Sequence, residues 1–133
     1  MMTEDRAPGR LKVLVVEDAE LVRESTVLLL EGLRYEVLAA ENGPEALRMI
    51  DGASRIDLLL SDVLMPGGIG GQEIVDAAVK SLGAVKVLLC SASPRADLLA
   101  DGRIREDTPL LTKPYRGARL KRAIDDLFGV AGA

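Results

Sequence analysis

The chain contains no histidine and no tryptophan, one cysteine, two tyrosines and one phenylalanine among 133 residues. Lack of histidine removes the commonest general base and the commonest metal ligand, and no phosphohistidine can form on this chain. With so few aromatic rings the core must be aliphatic. A lone Cys90 excludes an internal disulfide and fits a reducing, cytoplasmic compartment; set in an apolar run, it reads as a buried small hydrophobe. No apolar stretch approaches the ~18 residues needed to span a bilayer, which argues against a membrane partner. The net charge is −4 with both signs interspersed. That balance argues against a nucleic-acid surface.

The charged residues fall at informative places. Leu11-Lys12-Val13-Leu14-Val15-Val16 runs into Glu17-Asp18, Ile56-Asp57-Leu58-Leu59-Leu60-Ser61 into Asp62, Val85-Lys86-Val87-Leu88-Leu89-Cys90 into Ser91, and Pro109-Leu110-Leu111-Thr112 into Lys113-Pro114. Continuous apolar runs of this length mark strands covered on both faces. Between them lie helical signals, from about Ala19 to Leu33, Pro44 to Ile50, Gln72 to Leu82, Pro94 to Ala100 and Gly117 to Phe128, with a second strand at Glu36 to Ala40. Asp18 is placed to cap the first helix. Val22, Leu29, Leu30 and Leu33, then Ile74, Val75, Ala78 and Val79, are spaced for the inner faces of two helices. Residues 101–108 read as a polar loop. The alternation predicts an α/β domain with a five-stranded parallel, doubly wound sheet and helices on both faces. Domain limits are expected at 10–129, with tails at 1–9 and 130–133; the first tail carries acids and bases and does not read as a signal peptide.

In an open parallel sheet, ligands bind at the carboxyl ends of the strands. If the first and third strands are neighbours, Asp18 and Asp62 come close, and like charges that close raise one another's pKa unless a cation intervenes. A few oxygen ligands suit Mg²⁺, which keeps several waters. Lys113 supplies a compact positive charge for a carboxylate or a phosphoryl oxygen, and Pro114 holds Lys113 out of the helical region. Ser91 adds a hydroxyl. The glycines at 67, 68, 70 and 71 lack the lysine and spacing of a P-loop and read as a turn after Asp62. Arg116, Arg119, Lys121 and Arg122 read first as a solvated face, and second as a docking surface for a partner or a second copy forming a homodimer.

Val-Leu-Val-Val-Glu-Asp, Asp-Leu-Leu-Leu-Ser-Asp-Val-Leu-Met-Pro-Gly-Gly, Val-Leu-Leu-Cys-Ser-Ala and Leu-Leu-Thr-Lys-Pro-Tyr, in this order, resemble the receiver domain of two-component response regulators over about residues 10 to 129. The resemblance implies that Asp62 accepts a phosphoryl group. It implies that Asp18, Asp62 and the Leu64 main-chain carbonyl bind Mg²⁺, with Glu17 acting through water. Lys113 and Ser91 would contact the phosphoryl oxygens. The partner would be a histidine kinase or histidine phosphotransfer protein. The domain would be a switch with intrinsic autophosphatase activity rather than a conventional enzyme. Where the family often has an aromatic switch residue, three positions before the lysine, this chain has Leu110. Two versions stay open, a free-standing single-domain regulator and a receiver of a hybrid histidine kinase; that departure, the Met-Pro-Gly-Gly loop and the Leu-Leu-Thr-Lys-Pro-Tyr ending look somewhat more like receivers attached to hybrid kinases. Two other readings compete: a Mg²⁺-dependent phosphohydrolase with Asp62 as nucleophile, and a pseudo-receiver that only binds a partner.

Overall fold

A computed structural model describes residues 10–53 and 55–130. Its elements follow in the order β1 (Lys12–Val16), α1 (Glu20–Gly32), β2 (Glu36–Ala40), α2 (Gly43–Gly52), β3 (Leu58–Asp62), α3 (Gly71–Leu82), β4 (Lys86–Ser91), α4 (Arg95–Ala100), β5 (Leu110–Thr112) and α5 (Gly117–Leu127). The five strands form one parallel sheet in the order β2-β1-β3-β4-β5. The third strand, β3, is therefore central. The tail expected at 1–9 lies outside the described residues, as do 131–133 of the second.

Alternation along each strand divides the core in two. Leu14, Val16, Leu59 and Leu89 face α2, α3 and α4, where Ala46, Ile50, Ile74, Ala78 and Leu98 close the layer. Val13, Val15, Leu58, Leu60, Leu88 and Cys90 face α1 and α5, against Leu30, Leu120 and Ile124. Because both faces are covered, the strands tolerate no polar alternation, which is why they read as unbroken apolar runs. Each fully buried leucine contributes roughly 1.5–3 kcal/mol through removal from water.

Several local expectations need correction. Asp18 does not cap α1; the N-cap is Ala19, whose backbone N–H is taken by the Glu17 carboxylate at 3.1 Å. Val22 and Val79 stand exposed rather than inside. The buried places on α1 belong instead to Leu30 and to Thr26, whose hydroxyl donates to the Val22 carbonyl at 2.8 Å and so can be buried. The third strand begins at Leu58, two residues later than Ile56, and the Asp57 carboxylate accepts the Lys12 backbone N–H at 2.8 Å. Asn42 caps α2 through the Glu45 N–H, with Pro44 in the first turn.

Candidate functional site

The parallel registers bring the separated motifs to one edge. Val16 pairs with Ser61, Asp62 with Cys90, and Ser91 with Thr112. Backbone bonds fix the next residues: Glu17 N–H to Ala40 O, Val63 N–H to Cys90 O, and Lys113 N–H to Ser91 O, at 3.1, 3.0 and 2.8 Å. Glu17, Asp62 and Lys113 thus leave the sheet side by side.

Lys113 Nζ lies 2.7 Å from Asp62 Oδ1 and 2.9 Å from Glu17 Oε1. Glu17, Asp18 and Asp62 each offer a carboxylate oxygen, and these oxygens lie within 4.8 Å of one another. The three differ in setting. Glu17 is buried with both oxygens engaged, one by Lys113 and one by the Ala19 N–H. Asp62 is half-buried, and Asp18 faces solvent. Arg23 Nη1 donates to the Glu17 carbonyl at 2.9 Å, tying α1 to the same corner.

Burial and neighbours push the charges apart. Burial raises the Asp62 carboxyl; the Lys113 ammonium opposes it, but adjoining Glu17 adds to it, and the result stands at about 7. For Glu17, burial works upward as well, yet the bonds from Lys113, Asp62 and the Ala19 N–H hold it below the usual carboxylate value. Burial would lower Lys113, but the two carboxylates raise it above the ordinary lysine value. One ammonium among three carboxylates leaves net negative charge in a partly dry corner. A small divalent cation offsets that charge, and an all-oxygen donor set suits Mg²⁺. The residues present therefore fit the metal.

Other residues named from the sequence fall around this corner. Ser91 ends β4, buried, its Oγ accepting the Ser93 N–H at 3.0 Å. Leu64 lies two residues past Asp62 in the connection to α3, half exposed. Leu110 begins β5 and packs against the Leu98 and Ile104 layer. Tyr115 packs in the opposite layer beside Cys90 and Thr26. Burial pushes the Cys90 thiol up to about 12, with the Asp62 charge adding to it. Such a thiol is an inert wall rather than a nucleophile.

Two features went unread in the sequence. Beside Lys113 runs an apolar groove of about 580 Å³, lined by Leu21, Val22, Leu29, Pro114 and Tyr115 among others. Residues 101–108, a polar loop by sequence, are bonded to α3 through Gln72 and Asp76. Neither has a local signal, since each depends on which elements the topology places together.

A doubly wound parallel sheet with an acid cluster and an ammonium at its carboxyl edge defines an α/β domain of the receiver type. The profile described as the response regulator receiver domain matches residues 13–125, and the chain belongs to that family, the receivers of two-component signalling. The chemotaxis protein CheY of Listeria monocytogenes is 29% identical over 116 residues, 86% of this chain and 96% of that protein. Among solved structures, chemotaxis protein CheY4 of Vibrio cholerae superposes with a TM-score of 0.78 at 28% identity, covering 90% of this chain and 99% of that one. The receiver domain of the hybrid histidine kinase CckA gives 0.71 at 33%, covering 87% and 97%. A receiver of two-component signalling implies a histidine kinase as partner. Among the described residues no helix is long and apolar enough to cross a membrane.

Proposed function

We propose that this receiver takes a phosphoryl group onto Asp62 from a phosphohistidine on a kinase or histidine phosphotransfer protein, in a Mg²⁺-dependent reaction. The observation that carries this reading is the single ammonium of Lys113, held between Asp62 and Glu17 at 2.7 and 2.9 Å, with Asp18 beside them. An Asp62 oxygen attacks phosphorus, the bond to the imidazole nitrogen breaks, and that nitrogen keeps the electron pair. The product is an acyl phosphate, later hydrolysed by water.

Each neighbour has a part. Asp18, Asp62 and the Leu64 carbonyl would hold Mg²⁺, with Glu17 contributing through water. Bound there, the metal supplies charge neutralisation for the phosphoryl oxygens. Lys113 turns from the bare carboxylate to a phosphoryl oxygen while keeping Glu17 as its second partner. Ser91 Oγ, which accepts the Ser93 N–H, donates its own proton to a phosphoryl oxygen. Leu110 supplies no ring to follow that motion, so the signal leaves through the α4–β5 region by another route. The groove beside Lys113 lies where a donor's histidine-bearing segment must approach, and exposed Leu21 and Val22 offer it apolar contact.

Incubation with a small-molecule phosphodonor and Mg²⁺, followed by intact mass, tests the reading. One added phosphoryl group is expected, and none without Mg²⁺ or in Asp62→Asn. Labelling that persists in Asp62→Asn overturns the assignment of the acceptor.

A further inference from the structure

The start of α3 and the start of β5 are tied together by side chains that sequence motifs do not mark. Gln72 Oε1 accepts two hydrogen bonds, from the Thr108 hydroxyl at 3.0 Å and from the Arg105 backbone N–H at 3.2 Å. Gln72 Nε2 donates to Asp76 Oδ1 at 3.3 Å, one turn along α3. The Arg105 guanidinium closes on both Asp76 oxygens. Thr108 is buried, so its hydroxyl has this one partner for its proton and is costly to strand.

Both ends of this latch lead straight to the phosphoryl site. Gln72 follows Gly71, whose N–H bonds the Val63 carbonyl at 2.9 Å. A side chain on Gly71 would stand 2.3 Å from the Asp62 carbonyl oxygen, so α3 begins in direct contact with the acceptor's own backbone. Thr108 leads through Pro109, whose carbonyl accepts the Leu89 N–H at 3.0 Å, into β5 and Lys113. The path Asp62, Gly71, Gln72, Thr108, β5, Lys113 returns to Asp62 through the 2.7 Å ion pair. A closed path of short, packed links cannot change at one point without strain at another.

We propose that the Gln72–Thr108 and Asp76–Arg105 bonds form a latch that favours Lys113 closed on Asp62 over the arrangement carrying a phosphoryl group. The latch rests on the receiver reading and adds its regulation. Opening it lowers the cost of turning Lys113 outward. By linkage, a group that binds Asp62 loosens the latch to the same extent that the latch opposes its binding. The short α4, with Leu98 as its only buried residue, is then free to shift with residues 101–109.

The test uses beryllofluoride with Mg²⁺ as a stable mimic of the acyl phosphate, on the whole chain. Half-saturation is measured for wild type, Gln72→Ala and the surface variant Asp76→Asn, with amide exchange of residues 101–109 followed in parallel. Both variants are expected to bind at least threefold more tightly. Wild-type exchange in 101–109 should speed up on binding, and in the variants it should be fast already. Unchanged affinity in both variants, or no acceleration of exchange in 101–109 when wild type binds, overturns the latch and leaves a static staple. Weaker binding in variants that unfold at the wild-type temperature overturns its sign. If wild type itself fails to bind, the receiver reading falls and the latch with it.

Discussion

Asp62 stands opposite Cys90 in the register of β3 and β4, so its carboxylate leaves the sheet beside an apolar thiol. That neighbour gives no hydrogen bond to the carboxylate and keeps water away on one side. Burial consequently dominates the Asp62 equilibrium and lifts it to about 7.

Removing the Asp62 charge should therefore stabilise the metal-free protein. The folded state holds the Asp62 proton where an unfolded aspartate, ordinarily at 3.8, has lost it. The stabilisation this gives is complete below about pH 4 and is lost as pH rises to about 7. Glu17, held below 4.5, acts oppositely, and its contribution is lost only as pH falls further. Urea unfolding in a metal-free buffer should show wild type losing stability between about pH 4 and 7. Asp62→Asn should be flatter, and more stable at pH 8 by about 1–3 kcal/mol. Added Mg²⁺ should restore much of the difference.

Asp18 is the exposed member of the acid cluster and, among the described residues, its carboxylate makes no hydrogen bond or ion pair, unlike that of Glu17. Asp18→Asn should leave the unfolding temperature nearly unchanged while weakening Mg²⁺ binding by about tenfold or more. Titration of metal against amide chemical shifts of residues 17, 18, 62 and 64 separates the two effects. Equal affinity in the variant would remove Asp18 from the ligand set.

Leu21 makes a different separation possible. It is 78% exposed on the rim of the groove. Leu21→Glu should slow transfer from a phosphorylated histidine protein by an order of magnitude, since a buried charge opposes apolar docking. Transfer from a small phosphodonor should keep its rate. A parallel fall in both rates would place the effect at the reacting groups instead.

Much of the fold and the acid corner was legible because the signal lay in sequence order. A strand buried on both faces cannot hide a charge, so Glu17, Asp18, Asp62 and Lys113 each stood out at the end of an apolar run. What stayed illegible depended on orientation. Asp18 reads as a cap by residue type, yet the chain turns so that Glu17 reaches the Ala19 N–H. Val79 fits the apolar spacing of α3 but stands to the side of the face that Ala78 and Leu82 turn to the core, and stays half exposed. Residues 101–108 have no periodicity because their order comes from Gln72 and Asp76, about thirty residues away.

Gly71→Ala tests how tightly the acceptor loop is built. The added methyl would meet the Asp62 carbonyl oxygen at 2.3 Å and the Val63 Cα at 3.0 Å, both backbone atoms that cannot rotate aside. A loss of about 1–3 kcal/mol in stability is expected. Phosphorylation by a small donor should slow as well, because the shift falls on Asp62 itself. Wild-type rates in the variant would show that the loop relaxes elsewhere.

The sheet's outermost strand on the α5 side, β5, is three residues long, and it delivers the ammonium that holds Asp62 and Glu17 together. Short border segments open most readily, well before a molecule unfolds as a whole. Fraying there would withdraw Lys113 while leaving the three acids in place, so chemical competence should be lost at milder temperatures than compactness.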